Sequence, residues 1–529
     1  MEFRVLSRGD GVPSKGKSQV YLEIDHWNDY SFVTMFHISM HDNSGAFHNL
    51  GEVKIAFKGQ TTPIATYQKL EKKFQSLDDS FFSVGQSSDY YRKLAKLPND
   101  EGILVLQALQ DVVLEINKVD ELDAEDVFGM SLLRDTSLSL IKGQYARILR
   151  GDRSLKNYSF KYSSPNSKAL AGCELSFDVK AKSTPRTNIH SVIGRNGVGK
   201  TTLLNGMINA IICKNDTQAR FIDCEYDDER EVDKDYFSSL VSVSFSAFDP
   251  FSPPPDQPDR NKGICYFYIG LKDKDDPKKH KTIEDLHGDM ANALINCFYQ
   301  SDKKKRWFDA IAKLGTDENF EVLNLPKFEE DYSKLRRRSG SKKLDTDAFR
   351  DKYLEKIQPK LTQMSSGHAI VLLTITKLVA AVSEKTLVLI DEPEGHLHPP
   401  LLSAFLRALS DLLKEQNGLA IIATHSPVVL QEVPKSCVWK INRFGDSFEY
   451  TRVEKETFGE NVGILTREIF GLEVIKSGFH DLLVKSVDTG RSYEEIVKSY
   501  EGQLGLEARA ILKALTVNND RSAKHDKNG

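Results

Sequence analysis

Eight residues constrain this chain more than any others: Gly194-Arg-Asn-Gly-Val-Gly199-Lys200-Thr201 fits GxxxxGK[ST] in full. The apolar segment Ile189-His-Ser-Val-Ile193 precedes it and the helix-like Thr202-Leu-Leu-Asn-Gly-Met-Ile-Asn-Ala follows, so the order is strand, loop, helix. In that setting glycines let backbone amides converge on phosphate oxygens, and the helix N-terminus adds its partial positive charge. Gly194, Asn196, Gly197, Gly199, Lys200, Thr201 and Thr202 are the candidate ATP-binding residues. Lys200 is expected to reach the β and γ phosphates, and Thr201 to offer its hydroxyl to Mg2+.

Three further segments supply matching chemistry. Thr386-Leu-Val-Leu-Ile390-Asp391-Glu392-Pro393 is an apolar strand ending in adjacent carboxylates. That pairing suits a magnesium ligand, Asp391, beside a group that polarises the attacking water, Glu392. Met364-Ser365-Ser366-Gly367-His368 opens an apolar helix, where hydroxyls, amides and a helix N-terminus make a second phosphate-binding surface. Ile421-Ile-Ala-Thr424-His425-Ser426-Pro427 places His425 where a second apolar strand leaves the sheet, next to Asp391 in the expected strand order, as a sensor of the γ-phosphate.

The rest of the chain frames these motifs. Its 529 residues exceed what one hydrophobic core usually serves, so several domains are expected. From Gln19 to Lys58 alternating β-branched and aromatic residues predict a small antiparallel sheet, the N-terminal β region (1–60) of the head. Helical spacing predicts an insertion over 61–150, and strands resume at Phe160. The core is expected over 151–450, with an insert (205–360) that holds strands at Leu240–Phe245 and Ile264–Leu271, a Pro253-Pro254-Pro255 break and charged helices. Helix alternating with apolar strand from Leu361 onward indicates a parallel sheet covered on both faces. A helical region (451–529) follows, in which Leu504 to Leu515 reads as core packing or a docking helix, and the charged Asn518–Gly529 as a frayed tail.

Composition excludes little but is consistent. With a formal charge of −4, any attraction to nucleic acid has to come from local clusters. Lys303–Arg306, Arg336–Arg338 with Lys342 and Lys343, and Lys278, Lys279 with Lys281 are such clusters, although acidic residues are interleaved. The six cysteines lack CxxC spacing, which fits reduced thiols in a cytoplasm. No signal-like N-terminus and no run of about 18 apolar residues occurs, so neither export nor membrane insertion is expected.

With the four motifs in this order the chain resembles the ABC-type ATPases, a family running from transporter motors to chromosome-structure and break-repair ATPases. The resemblance covers roughly 151–450. It implies an α/β fold: an ABC-type P-loop ATPase head with a mostly parallel sheet, an N-terminal antiparallel sheet, helical insertions and a helical C-terminal region. It also implies a head-to-tail homodimer or higher oligomer in which Ser365, Ser366 and Gly367 complete the ATP site of another copy, with Glu392 as catalytic base and His425 as switch histidine. The run Asp391-Glu-Pro-Glu-Gly-His-Leu-His-Pro399 looks like the soluble branch that includes the overcoming-lysogenisation-defect ATPases and many anti-phage systems. Together with Trp27-Asn-Asp-Tyr-Ser-Phe32 and Phe458-Gly-Glu-Asn-Val-Gly-Ile-Leu-Thr-Arg-Glu-Ile-Phe470, the layout is similar to PtuA-type ATPases of Septu and retron-linked defence systems.

That narrower resemblance implies a regulatory ATPase paired with an HNH-type nuclease, and in retron-linked systems with a reverse transcriptase and its DNA–RNA product. Other members suggest a DNA-repair machine, a self-contained nuclease or a transporter motor. Against these stand an inter-motif interval too broken for coiled-coil arms, no DxD pair after Tyr450, and the Glu394–Pro399 text. Two departures stand out: Val243-Ser-Phe-Ser-Ala-Phe-Asp249 lacks the glutamine of transporter relatives, leaving Ser246 or Asp249 as substitutes. The signature reads Met-Ser-Ser-Gly-His in place of Leu-Ser-Gly-Gly-Gln.

Overall fold

The computed structural model describes residues 1–7, 10–26, 32–134, 136, 138, 140–150, 156–166, 172–213, 217–225, 229–233, 236–246, 249–259, 263–273, 276, 279–315, 320, 322–339, 347–444, 447–476, 478–488 and 491–525. The segment at 27–31 and the basic residues Lys278, Lys342 and Lys343 lie outside them.

The phosphate loop grows from the middle of a seven-stranded sheet. Its strands are β9 (Ile189–Gly194), β12 (Ser239–Ser244), β13 (Cys265–Gly270), β14 (Thr386–Asp391), β15 (Leu419–Thr424), β16 (Val438–Phe444) and β17 (Ser447–Arg452), in the order β13-β12-β14-β15-β9-β16-β17. All pairings are parallel except β16 with β17. The central strands are apolar on both faces because both are covered. Along β14, Leu387 and Leu389 enter one core while Val388 and Ile390 enter the other, and β15 repeats this with Ile421 and Ile422.

On one face lie the helix Lys200–Ile212 and a four-stranded antiparallel sheet, in the order β11-β10-β7-β8. Its strands are β7 (Tyr158–Ser164), β8 (Cys173–Val179), β10 (Arg220–Asp223) and β11 (Arg230–Glu231). On the other lie the helices Ile283–Tyr299, Ser301–Leu314, Asp347–Leu361, Ser366–Ala381 and Pro399–Glu415. The inter-motif insert is thus part of the packed head. Trp307 is fully buried and its indole N–H donates to the Thr376 hydroxyl at 3.0 Å.

The N-terminal region departs from expectation. β1 (Glu2–Leu6), β2 (Gln19–Ile24), β3 (Met35–His41), β4 (Phe47–Phe57), β5 (Lys73–Phe74) and β6 (Phe81–Gly85) form a separate sheet, in the order β5-β1-β2-β3-β4-β6, with β1 and β2 parallel. The expected boundary at residue 60 therefore falls inside one unit: β5 and β6 belong to the stretch read as helical, and one apolar core joins Phe3 to Ala146. This unit does not share strands with the seven-stranded sheet. At the other end, helices Phe479–Asp488, Tyr493–Ser499 and Leu506–His525 enclose a small core of Leu483, Val487, Ile496 and Leu512. The last of these helices runs through most of the stretch read as a frayed tail, and 526–529 lie outside the described residues.

Candidate nucleotide site

Parallel register brings the predicted residues to one edge. Ser244 pairs with Asp391, Asp391 with Ala423, and Thr424 with Ile193, so four strands end together where the phosphate loop begins. Gly197 and Gly199 have φ of 78° and 96°, values that favour glycine. A Cβ at Gly194 would lie 2.5 Å from the Ile441 carbonyl oxygen, so glycine is what lets β9 and β16 approach this closely there.

Lys200 is buried, and its ammonium donates to the carbonyls of Gly194 at 3.0 Å and Arg195 at 2.9 Å. Its Nζ also lies 3.5 Å from Glu392 Oε1. The Thr201 hydroxyl donates to Asp391 Oδ2 at 2.8 Å, while Asp391 Oδ1 is buried with no hydrogen-bond partner. Burial pushes the Asp391 carboxyl up to about 6, against the Thr201 hydrogen bond; Glu392 and Asp249 push in the same direction as burial. A buried carboxylate with an open oxygen, a neighbouring hydroxyl and further negative charge is a fitting donor set for a hard divalent cation.

Glu392 has φ 45°, a left-handed conformation that costs a side-chain-bearing residue energy and clusters at functional sites. Its amide is anchored by donation to the Ala423 carbonyl at 2.9 Å. The His425 ring holds its carboxyl below the usual range, and burial opposes this. Reciprocally, Glu392 raises the imidazole, with burial again opposing. His425 Nδ1 stands 3.5 Å from Glu392 Oε1 and 3.2 Å from Glu394 Oε1.

The signature residues lie elsewhere on the head. Ser365 caps the helix Ser366–Ala381, and its Oγ is 2.6 Å from His368 Nδ1. Ser365 and Ser366 are exposed, whereas Gly367 is buried against the turn Pro393–His396, with no room for a Cβ beside the His396 carbonyl. Asn196 and Gly197 are exposed at the tip of the phosphate loop, and Thr202 is half-buried in its helix.

Two contributors were not singled out by sequence reasoning. Glu394 stands in the Asp391–Pro399 run, and its spacing of two from Glu392 is the signal in the sequence that points to it. Ser244, whose hydroxyl donates to Asp249 Oδ2 at 3.3 Å, brings Asp249 toward Asp391. Of the proposed substitutes for the missing glutamine, Asp249 is the one with this link; residues 247 and 248 lie outside the described ones.

Much of the basic clustering is internal. Arg306 donates to the Val382 carbonyl, Lys304 pairs with Glu329 at 3.2 Å, Lys281 with Asp289 at 2.8 Å and Arg336 with Asp25 at 3.4 Å. Arg337 and Arg338 are exposed. Among the described residues no helix is long and apolar enough to cross a membrane.

Protein ea59 of Escherichia phage lambda is 49% identical over 520 residues, spanning 98% of this chain and 99% of the relative. The chain belongs to the ea59 family. A family model described as "AAA domain, putative AbiEii toxin, Type IV TA system" matches residues 300–431, which take in Ser365, Asp391, Glu392 and His425. Among solved structures, MJ1267, an ATP-binding cassette of an ABC transporter in its ADP conformation, superposes with a TM-score of 0.31 at 14% identity, covering 60% of this chain and 98% of that one. UvrA2 from Deinococcus radiodurans gives 0.29 at 15%, covering 62% and 42%. Strand order and phosphate loop give the head the α/β fold of the ABC-type P-loop ATPases.

Proposed function

We propose that the chain hydrolyses ATP and acts as the regulatory ATPase of an anti-phage defence complex, with ATP-driven head-to-tail pairing of two copies controlling a partner nuclease. The observation that carries the ATPase half is the seat of Glu392, a strained, mostly ionised carboxylate between Lys200 and His425 and next to Asp391. Bound ATP gives Lys200 phosphate oxygens in place of the two loop carbonyls it now caps, which frees those carbonyls and fixes the loop. Thr201 and Asp391 are the residues that would hold Mg2+, which would supply charge neutralisation for the transferred phosphoryl group. Glu392, acceptor-only when ionised, then orients and polarises water, while His425 donates toward the γ-phosphate.

Exposed Ser365 and Ser366 at a helix N-terminus supply a phosphate-binding face, and a second copy presenting its own site is the occupant such a face suits. Hydrolysis removes the γ-phosphate that both copies grip, so the pair opens. For the effector, the DEPEGHLHP text and the resemblance to PtuA-type ATPases favour an HNH-type nuclease. In a retron-linked setting a reverse transcriptase with its DNA–RNA product is a further partner, and exposed Arg337 and Arg338 offer phosphate contacts.

The test is ATP turnover and solution mass for wild type and Glu392→Gln, alone and with proteins encoded by neighbouring genes. Glu392→Gln is expected to lower kcat at least about 100-fold while retaining ATP and accumulating the paired form. Nuclease activity is expected only with a co-purifying partner. Cleavage of nucleic acid by the isolated chain would overturn the regulatory reading.

A further inference from the structure

We infer that Glu394 is a positioning residue for His425, setting where the imidazole stands relative to Glu392; the inference rests on the ATPase reading above. One Glu394 oxygen, Oε1, gathers three donors from the end of β15: the Thr424 hydroxyl at 2.6 Å, the His425 amide at 2.7 Å and the Ser426 amide at 3.1 Å. The Ser426 amide also donates to Thr424 Oγ1 at 2.9 Å, so hydroxyl and amides form one closed network around that oxygen. The carboxylate side chain is only 8% exposed, and its other oxygen is buried with no hydrogen-bond partner. A carboxylate desolvated this far is stable only where donors converge on it, and charge-assisted hydrogen bonds are the strong kind.

The chain reaches this position because of Glu392. Its left-handed φ turns the backbone directly out of β14 into the short helix Pro393–His396, closed by the Gly395 amide donating to the Glu392 carbonyl at 3.2 Å. That reversal puts both carboxylates on one ring nitrogen, with Glu394 Oε1 at 3.2 Å and Glu392 Oε1 at 3.5 Å from His425 Nδ1. Both Glu392 and His425 remain partly exposed, at 35% and 40% of their side-chain surface. Glu394 grips the backbone on either side of the histidine and fixes its starting point. Without it the Thr424–Ser426 segment loses its three-way acceptor, and the imidazole loses the anchor that holds its Cα.

A residue that acts only through His425 has a recognisable signature. Glu394→Ala is expected to lower kcat about 10-fold, in the range seen when outer-shell partners are removed, with the KM for ATP nearly unchanged. In a His425→Ala background the same change is expected to have little further effect, because the interaction it supports is already gone. Glu394→Gln, which keeps an acceptor oxygen at the place of Oε1, is expected to recover most of the lost kcat, and thermal unfolding of each variant checks that it is folded. A loss that is as large in the His425→Ala background as in wild type would overturn the inference. So would Glu394→Gln falling as far as Glu394→Ala. If wild type itself does not turn over ATP, or Glu392→Gln matches it, the ATPase reading fails first. If wild type turns over, His425→Ala is impaired and Glu394→Ala is not, only the role of Glu394 falls.

Discussion

His190 lies in β9, four residues before Gly194, fully buried with both ring nitrogens unpartnered and its ring edge-on to Phe177 at 5.3 Å. Burial, reinforced by the charge of Arg452, pushes its imidazole down to about 3. The unfolded chain therefore binds a proton between pH 6.5 and 3 that the folded chain refuses, and stability contributed by the neutral ring is present above pH 6.5 and lost as pH falls through that window. At pH 5 the expected loss is about 2 kcal/mol. His190→Leu should flatten the pH dependence of the unfolding midpoint between pH 7 and 5, and a wild-type slope surviving the change would assign the acid sensitivity elsewhere. Residue placement was legible where a motif imposes it: Lys200, Thr201, Asp391 and Glu392 come together at one edge of the sheet. Glu394 was not, because its place depends on a left-handed turn at Glu392; Asp249 was named as a substitute for the missing glutamine, but the choice between it and Ser246 rests on the cross-strand pairing of Ser244 with Asp391.

Elements were legible in proportion to how completely they are buried. β12, β13, β14 and β15 begin and end within about two residues of the apolar runs that announced them. β6 was lost inside a helical stretch because five residues between turns carry no period of their own, and the parallel pairing of β1 with β2 has no local signature at all. The signature helix illustrates what patterns cannot convey. Gly367 is read in sequence as part of a phosphate-binding cap, yet its Cβ position would lie 2.4 Å from the His396 carbonyl, a backbone atom of the turn that carries Glu394. Gly367→Ala must therefore shift the helix start, the turn or both, with strain of about 1–3 kcal/mol. The expected outcome is a lowered unfolding midpoint together with reduced ATP turnover. Gly288, in the helix Ile283–Tyr299 with nothing within 4 Å of its Cβ position, is the control: Gly288→Ala is expected to raise stability by about 0.5–1 kcal/mol and leave turnover unchanged.

At the scale of the molecule, side-chain contacts fasten the N-terminal unit to the head that carries the phosphate loop. The Ser88 hydroxyl and Asp89 amide both donate to Asp302, at 3.0 and 3.2 Å, Arg336 reaches Asp25, and the Arg147 guanidinium pairs with Glu384. The last of these decides the most. Glu384 is fully buried just before β14, the Ser238 hydroxyl donates to its carbonyl, and seven residues later the strand ends at Asp391. An arginine of the N-terminal unit thus neutralises a carboxylate at the base of the strand that ends at Asp391, beside Glu392. Removing one partner of a buried pair leaves the other charged and desolvated, which costs about 3–5 kcal/mol, whereas replacing both is often close to neutral. Arg147→Met is therefore expected to lower the unfolding midpoint of the whole chain markedly, and Arg147→Met with Glu384→Gln to restore most of it. If the pair also transmits to the site, Arg147→Met lowers kcat at temperatures well below its own midpoint and the double variant recovers it. A stability loss without any change in kcat would confine the contact to holding the two units together.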